Sequence, residues 1–249
     1  MDLGLTGSAA LVTGGASGIG AAIAAGLAKE GCDIAIVDRV VDGGVAALQL
    51  RIEAAGRRLR AIEADVRDFD AAEQAVKAAK AEFGRLDILV ANAGITADAP
   101  SWKMTEEQWD AVLDVNLKGC FAYARAAAAL FREQKRGRMV FVSSINGLRG
   151  KFAQANYAAS KAGMIALAKT LARELGKYGV NVNVVAPGMV RTPLVKGLSA
   201  EVVQRATDAP VLGRIATPED IADTVAFLCS VRARHITGAV VQVDGGQHI

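Results

Sequence analysis

The feature that most constrains the fold is a regular alternation of short apolar, β-branched runs with longer stretches of helical periodicity. The short runs are residues 9–12, 34–37, 59–63, 88–91, 139–142, 180–185 and 240–243. The helical stretches between them are residues 19–30, 45–55, 71–83, 106–134, 156–178 and 218–230. Strands that read as continuous apolar runs, each followed by a helix, predict a parallel sheet covered on both faces. Right-handed crossovers then give a Rossmann-type, doubly wound α/β fold with seven strands.

The whole chain, residues 1–249, is predicted to form a single domain, because no Pro-, Gly- or Ser-rich linker divides it and no repeat is evident. The segment 192–218 breaks the alternation and holds three of the five prolines. An irregular insertion late in an α/β sheet predicts a lid over a site.

Composition excludes several classes of protein. An apolar fraction of 52% is too high for a disordered chain. A net charge of only +3 and 12 aromatic residues give no basis for nucleic-acid binding. The uncharged segment 3–28 is long enough to span a bilayer, but its seven glycines and four Ser/Thr residues indicate a strand, a loop and a buried helix, so we expect no membrane partner.

The three cysteines are Cys32, Cys120 and Cys229. They are far apart and odd in number, which argues against both a disulfide framework and a metal site. A reducing compartment is the simpler interpretation, and we expect a cytoplasmic protein.

A glycine-rich loop between the first strand and the first helix is typical of phosphate binding. It runs from Thr13 to Gly20, with glycines at 14, 18 and 20. Such a loop lets a pyrophosphate approach the free N–H groups of a helix N-terminus. The spacing differs from GxGxxG, so a strand–helix turn that binds nothing remains an alternative. The cofactor-binding residues expected here are Gly14, Ser17, Gly18, Ile19 and Gly20.

Asp38 ends the second strand, 24 residues after Gly14. A carboxylate at this point accepts the ribose hydroxyls of NAD and repels the 2′-phosphate of NADP. We therefore expect NAD, with NADP disfavoured, although Arg39 next to it is able to receive a phosphate.

Tyr157 and Lys161 are four residues apart in a helical stretch and share one face. A free tyrosine has a pKa of about 10, and a nearby ammonium lowers that value, which would make the phenol a useful acid–base catalyst. Ser144 follows the fifth strand, where α/β sheets place ligands. Taken singly, each of these residues also fits a surface or turn position.

These residues, together with Asn92-Ala93-Gly94, Asn116 and the run from Pro187 to Thr192, occur in an order that resembles the short-chain dehydrogenase/reductase family. The C-terminal run 236–246 is similar to its 3-oxoacyl carrier-protein reductase-like branch. The resemblance covers essentially the whole chain, with Ala91 standing where the family more often has asparagine.

The resemblance implies a role for each residue. Tyr157 would be the acid–base, Lys161 would lower its pKa and bind ribose, Ser144 would polarise the substrate oxygen, and Asn116 would hold a relay water. Further cofactor contacts would come from Asp65, Val66, Asn92, Ala93, Gly94, Val190 and Thr192. Substrate contacts would come from Asn146, Arg149, Gln154 and Met189. The resemblance also implies a homotetramer. The implied hydride and proton transfer requires no metal.

Three functions remain open from the sequence. The first is an NAD(H)-dependent oxidoreductase that interconverts a secondary alcohol and a ketone through Tyr157. The second is an NADPH-dependent 3-oxoacyl thioester reductase. The third is a non-catalytic NAD-binding sensor or scaffold, which would not need an acid–base group.

Overall fold

The computed structural model describes residues 2–41, 43–192 and 200–249, and it is built around one seven-stranded parallel sheet. The strands are β1 (Ala9–Thr13), β2 (Asp33–Asp38), β3 (Leu59–Glu63), β4 (Ile88–Ala91), β5 (Gly137–Val142), β6 (Val180–Pro187) and β7 (Val240–Val243). Their order is β3-β2-β1-β4-β5-β6-β7, and every neighbouring pair is parallel. The predicted α/β fold and its seven strands are confirmed.

Helices connect successive strands as the periodicity predicts. They are α1 (Gly18–Lys29), α2 (Gly43–Ala54), α3 (Phe69–Phe83), α4 (Glu106–Leu113), α5 (Gly119–Gln134), α6 (Asn146–Arg149), α7 (Ala155–Leu175), α8 (Ala200–Asp208) and α9 (Pro218–Cys229). The stretch predicted as one helix over 106–134 has that extent, but a π-helical turn at Asp114–Lys118 separates α4 from α5. The short α6 has no counterpart in the sequence prediction, because four residues carry no periodic signal.

Local chemistry fixes where several helices begin. The Thr105 hydroxyl accepts from the Gln108 N–H, and the Gln108 side chain accepts from the Thr105 N–H, so that a capping box starts α4. Thr217 and Asp220 form the same arrangement at α9, with Pro218 in the first turn. These caps satisfy N–H groups that would otherwise lack partners.

The core has two halves, one on each face of the sheet. Alternate strand residues point to opposite faces, so Leu11 faces α3, α5 and α7, whereas Ala10 and Val12 face α1, α2 and α9. Because both faces are covered, β4 is apolar at every position and β1 is apolar up to its last residue, Thr13, which is why these strands read as continuous runs in the sequence.

The carboxyl-end edge of the sheet is the expected position of a ligand site. Strand order reverses between β1 and β4, and ligands of open α/β sheets bind beyond the carboxyl ends of the strands at such a point. Residues 193–199 of the predicted lid lie outside the described residues, and its later part contains α8. None of the helices in the described ranges has the length and apolar character needed to cross a bilayer.

Candidate active site

The glycine loop follows β1 in the conformation that its sequence predicts. Gly14 has φ +64°, a left-handed conformation that side chains disfavour, and a Cβ there would lie 2.9 Å from the Cα of Ala93. A Cβ on Gly20 would collide with the carbonyl oxygen of Gly14. Ser17 caps α1 in an extended conformation without a side-chain hydrogen bond to the helix, and the first turn of α1 has no acidic residue. This end of α1 therefore fits an anionic group such as a pyrophosphate.

Two polar side chains hold this loop against β4. The Thr13 hydroxyl accepts from the N–H groups of Asn92 and Ala93, at 3.0 and 3.1 Å. The Asn92 amide donates to the carbonyl oxygens of Thr13 and Gly14, at 3.0 and 3.1 Å. The Asn92 side chain therefore stabilises the conformation of the glycine loop. Thr13 was not singled out from the sequence, although a polar residue that ends an apolar strand was the available signal.

Asp38 lies beside the glycine loop at the end of β2. Its Oδ2 accepts from the Ala16 N–H at 3.0 Å, and its Oδ1 accepts from the Arg39 N–H at 2.8 Å. The carboxylate is therefore fixed at the ribose end of the expected dinucleotide path, and it adds negative charge there. A negative charge at this position would repel a 2′-phosphate placed beside it.

The neighbouring acid, Asp65, is engaged within its own turn. Arg67 donates to both of its oxygens at 2.7 to 3.0 Å, and these bonds lower the pKa of Asp65. Val66 is buried and lies against Gly119, where a Cβ would be 2.9 Å from its side chain. Both residues follow β3 at the same sheet edge as Asp38.

The three residues expected to carry catalysis converge at the carboxyl end of β5. Ser144 follows that strand, and its hydroxyl interacts with the Tyr157 phenol in the sense that lowers the phenol's pKa. Lys161 lies one turn after Tyr157 on α7, and its Nζ is 5.6 Å from the centre of the Tyr157 ring. Nζ donates to the carbonyl oxygen of Val142 at 2.9 Å, and Lys161 is only 3% exposed.

The electrostatics of this cluster differ from the sequence prediction. Burial raises the pKa of Tyr157, the hydrogen bond from Ser144 opposes that effect, and the charge of Asp98 adds to it. Burial also lowers the pKa of Lys161 to about 8. The expected lowering of the Tyr157 pKa by Lys161 is therefore not found among these residues, because desolvation dominates both groups.

Asn116 lies in the π-helical turn and is fully buried. Its Oδ1 accepts from the Ile95 N–H at 2.8 Å, while its Nδ2 donates to the Ile95 carbonyl and the Ser160 hydroxyl. Both amide hydrogens are used, so a relay water would have to donate to the second lone pair of Oδ1 or to the main-chain carbonyl. A π-turn shifts the backbone hydrogen-bond pattern and occurs often at functional sites.

Gly94 closes the gap between Asn116 and Lys161. A Cβ at this position would lie 3.2 Å from the Asn116 Oδ1 and 3.3 Å from the Lys161 Nζ. The family resemblance implies that Gly94, together with Asn92 and Ala93, contacts the adenosine side of the cofactor. The structure instead brings it next to the lysine at the catalytic cluster.

The residues expected on the substrate side form a connected polar row. Asn146 Nδ2 donates to Gln154 Oε1 at 3.0 Å, and Gln154 Nε2 donates to Asp98 Oδ2 at 2.8 Å. Arg149 donates to Asn146 at 3.4 Å and to the Gln247 carbonyl at 3.3 Å. Gln154 is therefore bonded at both ends of its amide rather than free for substrate.

Residues after β6 bring the chain back to the glycine loop. Val190 is buried and pairs with Ala216 in an isolated bridge. The Thr192 side chain would contact a Cβ on Gly18 at 3.7 Å. Met189 N–H donates to the Gln247 side chain at 3.3 Å. Val190 and Thr192 thus lie on the sheet edge that also carries the phosphate loop.

Sequence reasoning missed two residues that support the cluster. The Ser160 hydroxyl donates to the Tyr157 carbonyl at 2.7 Å and accepts from Asn116, which links the catalytic helix to the π-turn. Asp98 lies in the loop after β4. No local pattern marks either residue, because their partners are distant in sequence.

No group of three or more His, Cys, Asp or Glu residues in the described part of the chain is arranged to hold a metal ion. The three cysteines are buried as free thiols. Burial raises the pKa of Cys32 and of Cys120 to about 12, so neither is an activated nucleophile.

Comparisons with known proteins agree with this geometry. Residues 14–248 match the family model described as enoyl-(acyl carrier protein) reductase. The 3-oxoacyl-(acyl-carrier-protein) reductase MabA of Mycobacterium bovis is 42% identical over 236 residues, which cover 95% of this chain and 91% of that protein. The corresponding FabG of Staphylococcus aureus is 41% identical over 240 residues, or 96% and 98% of the two chains.

A solved structure from Sinorhizobium meliloti is similar in fold. It is described as a candidate short-chain alcohol dehydrogenase, with a TM-score of 0.93 and 36% identity. The match covers 97% of this chain and 96% of that one.

Proposed function

This chain belongs to the short-chain dehydrogenase/reductase family of oxidoreductases, and we propose that it reduces a 3-oxoacyl thioester to the 3-hydroxy form with NADH. The observation that carries the proposal is that Ser144, at the end of β5, and the buried Lys161 both lie beside Tyr157. A sensor or scaffold would need no such group. The convergence of all three side chains on one strand end therefore favours catalysis over the non-catalytic alternative.

Tyr157 is proposed to donate the proton to the substrate carbonyl oxygen. Because burial and Asp98 raise its pKa, the phenol stays protonated at neutral pH, as a general acid must. Oxidation, the reverse reaction, needs the phenolate, so it should require a higher pH than reduction.

Ser144 and Lys161 are proposed to position the reacting atoms. The Ser144 Oγ is fixed by the Asn146 N–H at 3.1 Å, so its hydroxyl can orient the carbonyl oxygen next to Tyr157. The Lys161 Nζ is fixed by the Val142 carbonyl, and a pKa of about 8 lets the amine return a proton toward Tyr157 near neutral pH. When bound, the nicotinamide would supply the hydride.

The choice of NADH rests on Asp38. Its carboxylate is held by two N–H groups at the ribose end of the loop, and a 2′-phosphate placed there would meet an anion. Arg39 is exposed and is the group through which NADPH would have to be accommodated. The loop at Gly14 and Gly20 leaves room for the pyrophosphate of either cofactor.

The thioester substrate rests on the relatives named above, which are 3-oxoacyl-(acyl-carrier-protein) reductases by name. A second candidate is an NAD(H)-dependent dehydrogenase of a simple secondary alcohol. It is favoured by the Sinorhizobium structure and by Asp38.

The test is a steady-state assay of the purified chain with acetoacetyl-N-acetylcysteamine, following NADH or NADPH absorbance. We expect reduction with NADH, with a kcat/KM at least tenfold above that with NADPH. A preference for NADPH would refute the proposed role of Asp38 in cofactor choice, while the thioester would remain the proposed substrate. Reduction of simple ketones but not of the thioester would establish the second candidate instead. Absence of turnover in both directions would overturn the enzymatic proposal.

A further inference from the structure

A row of hydrogen bonds joins a cation to an anion among the residues expected on the substrate side. The Arg149 guanidinium donates to Asn146 Oδ1, the Asn146 amide to Gln154, and the Gln154 amide to Asp98, at 3.4, 3.0 and 2.8 Å. Every donor points away from the arginine and toward the carboxylate. The two charged ends therefore fix the orientation of both amides.

Asp98 is held in place by both side chain and backbone. Gln154 is only 5% exposed, so its amide is a rigid donor to Asp98 Oδ2. The residues on either side of Asp98 are fixed as well: Ala97 accepts from the Asn156 side chain at 3.0 Å, and Ala99 pairs with Gln154 in an isolated bridge. Within the described ranges, the second oxygen of Asp98 has no hydrogen-bond partner.

This carboxylate acts on Tyr157. Its negative charge contributes to the raised pKa of the phenol, which shows that the two groups share one electrostatic environment. The Lys161 amine also lies beside the Tyr157 ring and is directed to the Val142 carbonyl, while Arg149 stands at the opposite end of the row. The residues on either side of Asp98 are bonded to Asn156 and Gln154, which lead directly into Tyr157 on α7. The negative charge of Asp98 therefore lies at the start of the helix that carries the phenol.

We propose that Asp98, held by Gln154, is a specificity-determining residue that rejects free 3-oxo acids and admits their neutral thioesters. The inference rests on the proposed function, because it concerns the substrate of that site. A free 3-oxo acid carries its carboxylate two carbons from the ketone, so it would bring a second negative charge near Asp98. Asp98 is exposed, so water screens part of this effect, but like charges at short range still repel, and such repulsion discriminates between ligands. A thioester has no charge at that position.

The test uses two substrates, acetoacetate and ethyl acetoacetate, which share the 3-oxo group and differ in the charge of the carboxyl end and in the ethyl group of the ester; comparing their ratio between variants cancels the contribution of the ethyl group. We expect the parent protein to reduce the ester with the higher kcat/KM. In Asp98→Asn, the ratio of kcat/KM for acetoacetate to that for the ester should rise on the order of tenfold. Gln154→Leu, which releases Asp98, should raise the ratio by a smaller factor. Asp223→Asn on α9 makes the same charge change away from the site and should leave the ratio unchanged.

A second measurement does not depend on turnover. The chain has three tyrosines, so subtracting the ultraviolet pH titration of Tyr157→Phe isolates the phenolate signal of Tyr157. Asp98→Asn should move that titration to lower pH, and Asp223→Asn should not.

The outcomes separate the two claims. An unchanged substrate ratio in Asp98→Asn, or a parent protein that prefers acetoacetate through Arg149, would overturn the specificity role. If neither the ester nor the thioester is reduced, the proposed function is overturned. A Tyr157 titration that still moves in Asp98→Asn would then show only that Asp98 affects the pKa of Tyr157. A phenolate titration that does not move would overturn the inference whatever the activity.

Discussion

Replacing Lys161 by methionine should leave the protein at least as stable near pH 7 while removing its activity. The lysine is buried, and burial lowers its pKa from 10.5 to about 8. Below pH 8 the folded protein must hold a charged amine that the unfolded chain solvates more favourably. A difference of this size corresponds to about 3 kcal/mol of folding free energy.

The sign follows from proton binding. Between pH 8 and 10.5 the unfolded chain keeps a proton that the folded chain has lost, so the stability of the parent protein rises with pH across this window. The methionine variant lacks this rise. It also leaves the Val142 carbonyl without its donor, which costs roughly 1–3 kcal/mol at every pH. The variant should therefore be equal to or more stable than the parent at pH 7 and clearly less stable above pH 10.5.

The assay is urea unfolding of both proteins at one protein concentration from pH 6.5 to about 10.5. Lys169→Met, an exposed position on the same helix, is the matched control and should change stability by no more than about 0.5 kcal/mol at any pH. Parallel stability curves for the parent and Lys161→Met would refute the reasoning, because they would show that the amine is not penalised by burial.

Three further predictions concern the site directly. Tyr157→Phe removes one oxygen and should lower kcat by about 10²–10⁴-fold, with nearly unchanged cofactor binding in a fluorescence titration; retention of most of the kcat would exclude the acid–base role. Asp38→Ala should reduce the preference for NADH over NADPH at least tenfold in kcat/KM, and an unchanged preference would place specificity elsewhere. Asn92→Ala removes two hydrogen bonds to the glycine loop and should weaken NADH binding about tenfold by titration; unchanged binding would mean that the loop holds its conformation without them.

The relation between sequence and site is clearest at α7. The spacing of Tyr157 and Lys161 predicts that they share a helix face, and the structure confirms it. The same spacing predicts a lowered tyrosine pKa, and here the structure differs. Spacing reports which side chains are neighbours, but burial sets their charge states, and burial depends on everything packed around them.

The interrupted helix before it makes the same point. Periodicity over 106–134 predicts one continuous helix, and the helix has that extent. The π-turn at Asp114–Lys118 is invisible in the pattern, because one extra residue per turn barely disturbs an apolar stripe. It nevertheless decides where Asn116 points and which groups its amide satisfies.

The sequence by itself determined the alternation of strands and helices, the parallel sheet and the identity of the glycine loop, because these depend on periods and neighbours a few residues apart. Tertiary structure alone decided that the Gln154 amide donates a hydrogen bond to Asp98 and that Gly94 lies beside Lys161. It also decided that burial outweighs the lysine at Tyr157. Such contacts join residues separated by tens of positions, and their energies depend on how much water the fold excludes, which no local pattern records.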